Sequence, residues 1–322
     1  MRSNRSLLTA VFLLLIFSVS SIPTGLAKPK DKKVPNGTPI LWRRPADITG
    51  RDLYLGPGGA AMRPDVRQLT FIKEEKGGYS KKYRVRDASG REWVVKIGKE
   101  AQSETSAVRL LWGLGYETEI NYLVPHIYIP GKGSFDNARF EARPEGVKRT
   151  SEWKWKRNPF VNTPELQGLK ILMALMNNWD MKDSNNQILV TRANRENQLH
   201  YIISDLGATF GHASTTPFFW RITRSRNNPT KFVKTKFLEK VKSDRVYLHY
   251  GGKNRALFKN VTTEDAEWIG RWLAQLTDRQ VRDAFRAANY TPSQIELLTR
   301  AIRQRANELV DLRSNEPIGR NK

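Results

Sequence analysis

Apolar residues recur at helical spacing through Leu169, Leu172, Met173 and Met176, behind a start signal at Thr163-Pro164-Glu165 with threonine as cap and proline first in the helix. A polar stretch, Asn177 to Asn186, follows that predicted helix. Two β-type runs come next, Ile188-Leu189-Val190 and Tyr201-Ile202-Ile203, separated by a polar turn. Upstream, Lys82–Arg86 and Glu92–Ile97 flank Asp87-Ala88-Ser89-Gly90, a hairpin signal. In the second of these strands Trp93, Val95 and Ile97 share one face, and Val94 and Lys96 share the other. Ala107, Leu110 and Leu111 then predict a helix with Ser103 as its N-cap and Glu104 in its first turn. Tyr122 to Ile129 reads as a strand, and a polar connection rich in Lys, Arg and Trp runs on to residue 160.

The carboxy-terminal third is helical. Thr263 is expected to cap a helix over Glu264–Leu276, Thr277 or Asp278 to cap a short one through Ala288, and Thr291-Pro292 to open one reaching about Leu312. Strands early and helices late make this an α+β chain. Residues 28–50, rich in Lys, Pro, Gly and Arg, read as an extended lead-in, and residues 313–322 as a disordered tail.

Residues 1–27 have the pattern of an export signal: Arg2 and Arg5, an apolar run of 13 residues from Leu7 to Val19, and small residues Gly25 and Ala27 before a cleavage point. The run is short for a spanning helix, which takes roughly 20 residues. Cleaved export to an extracytoplasmic compartment, secreted or periplasmic, is the expectation; an uncleaved segment would act as a membrane anchor. There are no cysteines, which excludes disulfides, thiol nucleophiles and cysteine metal sites. The four histidines, His126, His200, His212 and His249, lack zinc-site spacing. A net charge of +23 points to anionic partners or, more plainly, to a basic surface.

The chemistry concentrates in Asp180-x-Lys182-x-x-Asn185, followed twenty residues later by Asp205-Leu206-Gly207 at a strand end. Phosphoryl transfer uses such parts: a carboxylate to orient a nucleophile, a cation for the transferring phosphate, a carboxamide and a carboxylate for metal. With the strand lysine Lys96 and the helix acid Glu104 upstream in the same order, residues 51–212 resemble the protein-kinase-like superfamily at its divergent end. Asn178-Trp179 stands where typical protein kinases have His-Arg, and Leu206 where Phe is usual. No Walker-type P-loop is present, which removes the P-loop NTPases.

The resemblance implies a two-lobed kinase-like fold, with a β-rich lobe over residues 51–150 and an α-rich lobe over 151–312. It implies Lys96 on the nucleotide phosphates, held by Glu104 with Glu100 as the fallback. Gly77-Gly78 or the turn Gly56–Gly59 would cover those phosphates. Asp180 would orient an acceptor hydroxyl and Lys182 would neutralise the transferring phosphate. Asn185 (Asn186 if the loop slips by one) and Asp205 would hold Mg²⁺ or Mn²⁺, with ATP as donor. Asp183 reads as a solvated loop acid or an alternative base. The expected activity is an ATP- and metal-dependent phosphotransferase acting on a hydroxyl-bearing acceptor.

A second class of function stays open. Residues 221–260 hold twelve Lys and Arg against two Asp and Glu, interleaved with Phe232, Phe237, Tyr247, Tyr250 and Phe258. A non-catalytic, kinase-shaped binding protein of the cell envelope could use that segment to recognise an anionic polymer or a membrane surface. Nucleic acid fits poorly, because the segment lacks a nucleic-acid motif and the leader points to export.

Overall fold

The computed structural model describes residues 34–77, 80–215 and 222–312. The export segment 1–27, Gly78 and the tail 313–322 therefore lie outside the described residues. The first described element corrects one expectation. The stretch read as an extended lead-in contains a strand, β1 (Thr38–Ile40), and carries Leu41 and Ile48 into the main hydrophobic core.

The predicted hairpin grows into a five-stranded antiparallel sheet. Its strands β2 (Thr70–Glu75), β3 (Lys82–Arg86), β4 (Glu92–Lys96), β5 (Asn121–Ile129) and β6 (Gly133–Ala142) lie in the order β2-β3-β4-β6-β5. Asp87 fixes the β3–β4 turn by accepting from the amides of Ser89 (2.9 Å) and Arg91 (3.0 Å) and from the Trp93 indole (2.8 Å). Trp93 and Val95 are fully buried against Val85, Tyr122 and Phe140, as the alternation requires. Withdrawing each such side chain from water stabilises the lobe by about 1.5–3 kcal/mol. β6 lies in the region expected to be a polar connection. Its apolar residues Ala138, Phe140 and Ala142 alternate with Arg139 and Glu141, so the strand period was present beneath the charge.

Helix α1 (Glu100–Gly113) crosses from β4 to β5 and packs on β5 and β6. It begins four residues earlier than expected. Ser103 is therefore inside the helix rather than its cap, and Glu104 sits in the second turn, beyond the reach of a simple end-charge explanation. Ala107, Leu110 and Leu111 of α1 join the larger core, so this helix ties the sheet to the rest of the molecule.

The second lobe is helix-rich: α2 (Pro164–Leu175), α3 (Pro229–Phe232), α4 (Thr263–Gln275), α5 (Asp278–Arg286) and α6 (Pro292–Val310). Thr163, Thr277 and Thr291 cap α2, α5 and α6. α4 is capped by Thr262, one residue before the expected Thr263, in a reciprocal box with Asp265. β7 (Lys148–Arg149), β8 (Asn186–Ala193) and β9 (Glu196–Ile203) form a small sheet in the order β1-β9-β8-β7. Two antiparallel strand pairs follow, β10 (His212–Thr215) with β11 (Ile222–Ser225) and β12 (Leu238–Lys242) with β13 (Arg245–Leu248). They organise the basic segment, whose Phe232, Phe237, Tyr250 and Phe258 are buried in the core; of its named aromatics Tyr247 is exposed. Those buried rings are packing, not a stacking surface. The chain thus has the α+β, two-lobed build expected of it, and no described helix is long and apolar enough to cross a membrane.

Candidate active site

Alternation along β4 decides where Lys96 points. With Trp93 and Val95 committed to the core, Lys96 projects from the opposite face, toward α1 and the end of β9. Its Nζ lies 2.7 Å from Glu104 Oε2, 3.0 Å from Glu100 Oε2 and 3.3 Å from Asp205 Oδ1. The expected partner and the fallback both hold it, because Glu100 and Glu104 are one helical turn apart on α1. Ser80 Oγ, just ahead of β3, donates to Glu100 Oε2 at 2.7 Å, beside the same group.

Gly77, after β2, is exposed with φ +101°, a conformation suited to glycine, and nothing crowds it. The alternative turn at Gly56–Gly59 lies elsewhere. A Cβ on Gly56 would overlap the Arg109 guanidinium of α1 at 2.4 Å, and Gly59 O accepts from Tyr122 Oη at 2.6 Å. That turn serves packing.

Lys96 is nearly inaccessible at 2% exposure, as are Glu104 at 1% and Arg139 at 2%. Burying charges is costly unless they pair, and here the pairing is continuous. Arg139, directly across from Lys96 in the β4–β6 register, reaches Glu104 Oε1 (2.9 Å), Glu119 Oε2 (3.4 Å) and Glu141 Oε2 (2.8 Å). Arg149 pairs with Glu119 and Glu141, and donates to Ser204 Oγ at 3.2 Å. The ladder ends where Asp205 begins. Burial pushes the Glu104 carboxyl up to about 7 against the pull of Arg139 and Lys96. Burial works against the Lys96 ammonium, yet Glu104, Asp205 and Glu100 hold it above its ordinary value. Arg139, Glu119 and Glu141 were not among the expected site residues; the alternation of β6 was the available signal for Arg139 and Glu141, and Glu119, ahead of β5, had none.

The second half of the site hangs from the end of α2. Asn177, at φ +53°, donates to Gly211 O at 2.8 Å, and Asn178 Oδ1 accepts from the Asp180 amide at 3.0 Å. These two side-chain amides anchor the start of the loop. A 3-10 turn over Asp183–Asn185 brings Asn185 Nδ2 to 2.6 Å from Asp180 O and 3.5 Å from its Oδ2. Asn185 O accepts from the amides of Ser204 (2.7 Å) and Asp205 (3.3 Å), so the loop and the end of β9 share one anchor. Asn186 is buried and donates to Trp153 O at 3.0 Å, a structural bond that favours Asn185 as the metal-facing amide. Asp183, partly exposed, accepts from the Trp155 amide at 3.1 Å and so supports the loop.

Asp180 lies between two ammonium groups. Lys182 Nζ is 3.0 Å from Oδ2, and Lys253 Nζ, from the segment after β13, is 2.6 Å from Oδ1. Burial alone would raise the Asp180 carboxyl, but the bonds from Lys253 and Lys182 outweigh it and hold it below the ordinary value. Asp205 behaves alike: burial is outweighed by Lys96, the Gly207 amide and Arg139. Gly207 is required by close approach, since a Cβ there would stand 2.7 Å from Glu100 Cβ. The chain crosses α1 at that point, with Ser103 Oγ donating to Gly207 O at 3.0 Å.

Among the described residues no three His, Asp or Glu side chains gather as a metal cage. Asn185 and Asp205, joined through backbone, offer one carboxamide and one carboxylate oxygen. That sparse, hard donor set suits Mg²⁺ or Mn²⁺, which keep waters and take phosphate oxygens as their remaining ligands.

No family model matches the chain, and no curated protein is significantly similar to it. Among solved structures it is similar to the proinflammatory kinase CtkA of Helicobacter pylori, at 11% identity and TM-score 0.47, over 77% of this chain and 96% of that one. It is also similar to the Rio2 kinase of Chaetomium thermophilum, solved with ADP, Mg²⁺ and phosphoaspartate (12% identity, TM-score 0.29, 74% and 72% of the two chains). A third is hydra Fam20 with sugar (10% identity, TM-score 0.33, 82% and 91%). These overlaps are loose, and the site is read from its own geometry.

Proposed function

We propose that this chain is an ATP- and metal-dependent phosphotransferase that acts on a hydroxyl acceptor outside the cytoplasm. The observation that carries the reading is the meeting of Lys96, Glu104 and Asp205. Groups from a strand, a helix and a loop 109 residues away converge within 3.3 Å of one ammonium. An export pattern at residues 1–27 supports the compartment.

Lys96, fixed by Glu104, binds the α- and β-phosphates of the donor. Asn185 and Asp205 would hold the Mg²⁺ or Mn²⁺, which supplies positive charge to the polyphosphate when bound. Asp180 accepts the hydrogen bond of the acceptor hydroxyl and orients its oxygen toward the terminal phosphorus. Lys182 neutralises the phosphoryl oxygens during transfer. The acceptor oxygen gains the phosphoryl group, the nucleoside diphosphate leaves, and the hydroxyl proton passes to Asp180 or to water.

The test is thermal stabilisation of the purified chain by ATP with Mg²⁺ or Mn²⁺, on the wild type, Lys96→Ala and Asp205→Ala. Ligand at about 100 times its dissociation constant adds roughly 2.7 kcal/mol, or about 5–10 °C for a domain of this size. The wild type should show that shift and both variants should lose it. A wild type that no nucleotide stabilises would end the enzymatic reading.

One observation favours the binding protein as a second reading. Arg224, Lys231, Lys234, Lys236, Lys240, Lys242, Arg255 and Lys259 of the basic segment are exposed. Salt-sensitive polyanion binding that survives Asp205→Ala would support it.

A further inference from the structure

The stretch after β13 is strapped to the Asp180 loop from outside. The Lys253 amide donates to Trp179 O at 2.9 Å, and Asn254 Nδ2 donates to Met181 O at 2.6 Å. The strap fits only because it begins with glycines. A Cβ on Gly252 would stand 2.5 Å from Trp179 Cα, and one on Gly251 would stand 2.1 Å from Ala213 O. The bonds straddle Asp180, and they fix the backbone from which Lys253 reaches its carboxylate.

Lys182 already pairs with Asp180, so a second lysine adds little stability. Partly exposed ion pairs are worth about 0–1 kcal/mol. What it adds is charge. One carboxylate between two ammonium groups leaves the trio at +1, and each ammonium has three donors. Asp180 is 14% exposed, whereas Lys182 and Lys253 are 43% and 39% exposed, so their remaining donors face the solvent side of the loop. Next door the Arg224 guanidinium lies 5.1 Å from the Trp179 ring centre and extends the positive surface, whereas Arg226, 4.7 Å from the same ring, is paired with Glu100 at 2.7 Å.

We infer that Lys253 is an acceptor-binding residue, and that the acceptor is a hydroxyl compound carrying its own phosphate or carboxylate within a few bonds of the reacting oxygen. Lys182 serves the transferring phosphoryl group, and Lys253 takes the acceptor's anion while Asp180 takes its hydroxyl. The assignment of that anion to an acceptor rests on the phosphotransfer reading, whereas the anion site itself does not.

Equilibrium binding without nucleotide separates the two. Titration calorimetry on the full chain would compare glycerol 3-phosphate, glycerate and glycerol on the wild type, Lys253→Met, Lys253→Arg and Asp205→Ala. Glycerol 3-phosphate or glycerate should bind at least tenfold more tightly than glycerol, as expected for a charge-assisted contact. The two anions show whether phosphate or carboxylate is preferred. Lys253→Met should erase the preference, Lys253→Arg should retain most of it, and Asp205→Ala should leave it in place. Equal binding of charged and neutral probes would overturn the inference. So would an anion preference that survives Lys253→Met, which would assign it to the basic surface at large. A Lys253-dependent preference in a protein that no nucleotide stabilises would keep the anion site and discard phosphotransfer.

Discussion

Removing Arg139 should damage this protein more than removing almost any surface charge. Its side chain is 3% exposed and its guanidinium sits among three carboxylates, Glu104, Glu119 and Glu141, whose side chains are 1%, 3% and 6% exposed. Arg139→Met keeps much of the side-chain volume but strands buried negative charge, and breaking a buried pair in this way costs about 3–5 kcal/mol. Against a total stability of roughly 5–15 kcal/mol, that is a large fraction. For a domain of this size it corresponds to a fall in melting temperature of roughly 6–20 °C.

The assay is thermal melting at low and high salt. The fall should be nearly the same in both, because buried pairs are screened little. Adding Glu141→Gln removes one stranded carboxylate and should return part of the loss, with a coupling of about 0.5–3 kcal/mol. A fall of under about 2 °C, or strictly additive effects in the double variant, would refute the view of the ladder as one buried electrostatic unit. It would then be a set of independent contacts, and Arg139 would have no part in positioning Lys96 through Glu104.

Three other outcomes are expected. Gly252→Ala would force the strap off Trp179 at a cost of about 1–3 kcal/mol, and acceptor binding at Lys253 should weaken with it, read by melting and calorimetry together. Because the Glu104 carboxyl is pushed up to about 7, it gains a proton as pH falls through that value, and Lys96 loses a charged partner. Nucleotide affinity should therefore drop on the acid side more steeply in the wild type than in Glu104→Gln. Asp180 is held below its ordinary value, so its share of stability is present above the unfolded-state value, near 3.9, and is lost only as pH falls through the lower folded one. The kcat/KM profile should show no acid limb from Asp180 near neutral pH, and Lys253→Met should raise the carboxyl's pKa.

The parts of the site that sit in one short stretch were legible in the sequence. Strand alternation gave the direction of Lys96, and the Asp180-x-Lys182-x-x-Asn185 pattern marked the loop while leaving Asn185 and Asn186 as alternatives. What escaped needed pairing between distant segments. Arg139 matters because β4 and β6 pair in a register that puts it opposite Lys96, and a charged strand read alone looks like a polar connection. Lys253 matters because two glycines let its segment lie against Ala213 and Trp179. Ser103 illustrates a local error of the opposite kind. As a serine ahead of an apolar stripe it has the chemistry of a cap, but α1 starts at Glu100 and Ser103 bonds to Gly207 O instead. Tertiary contact overrode a sound local preference.

The two aspartates of the site share a physical design that bears on mechanism. Asp205 faces Lys96, Asp180 faces Lys182 and Lys253, and both are held more acidic than free carboxyls. A carboxylate stabilised in this way is a weak proton acceptor, poorly matched to general-base work, which favours a pKa near the working pH. It is well matched to holding a hydroxyl in line. Phosphoryl transfer through a loose transition state asks little of a base and much of position and charge. Buried anchors supply the position: the ladder behind Lys96, the Asn185 carbonyl shared by two amides, and the strap outside Asp180. Cations supply the charge, and in the proposed reaction they stand on the acceptor side as well as the donor side. A neutral acceptor would use half of that arrangement, and an anionic one uses all of it.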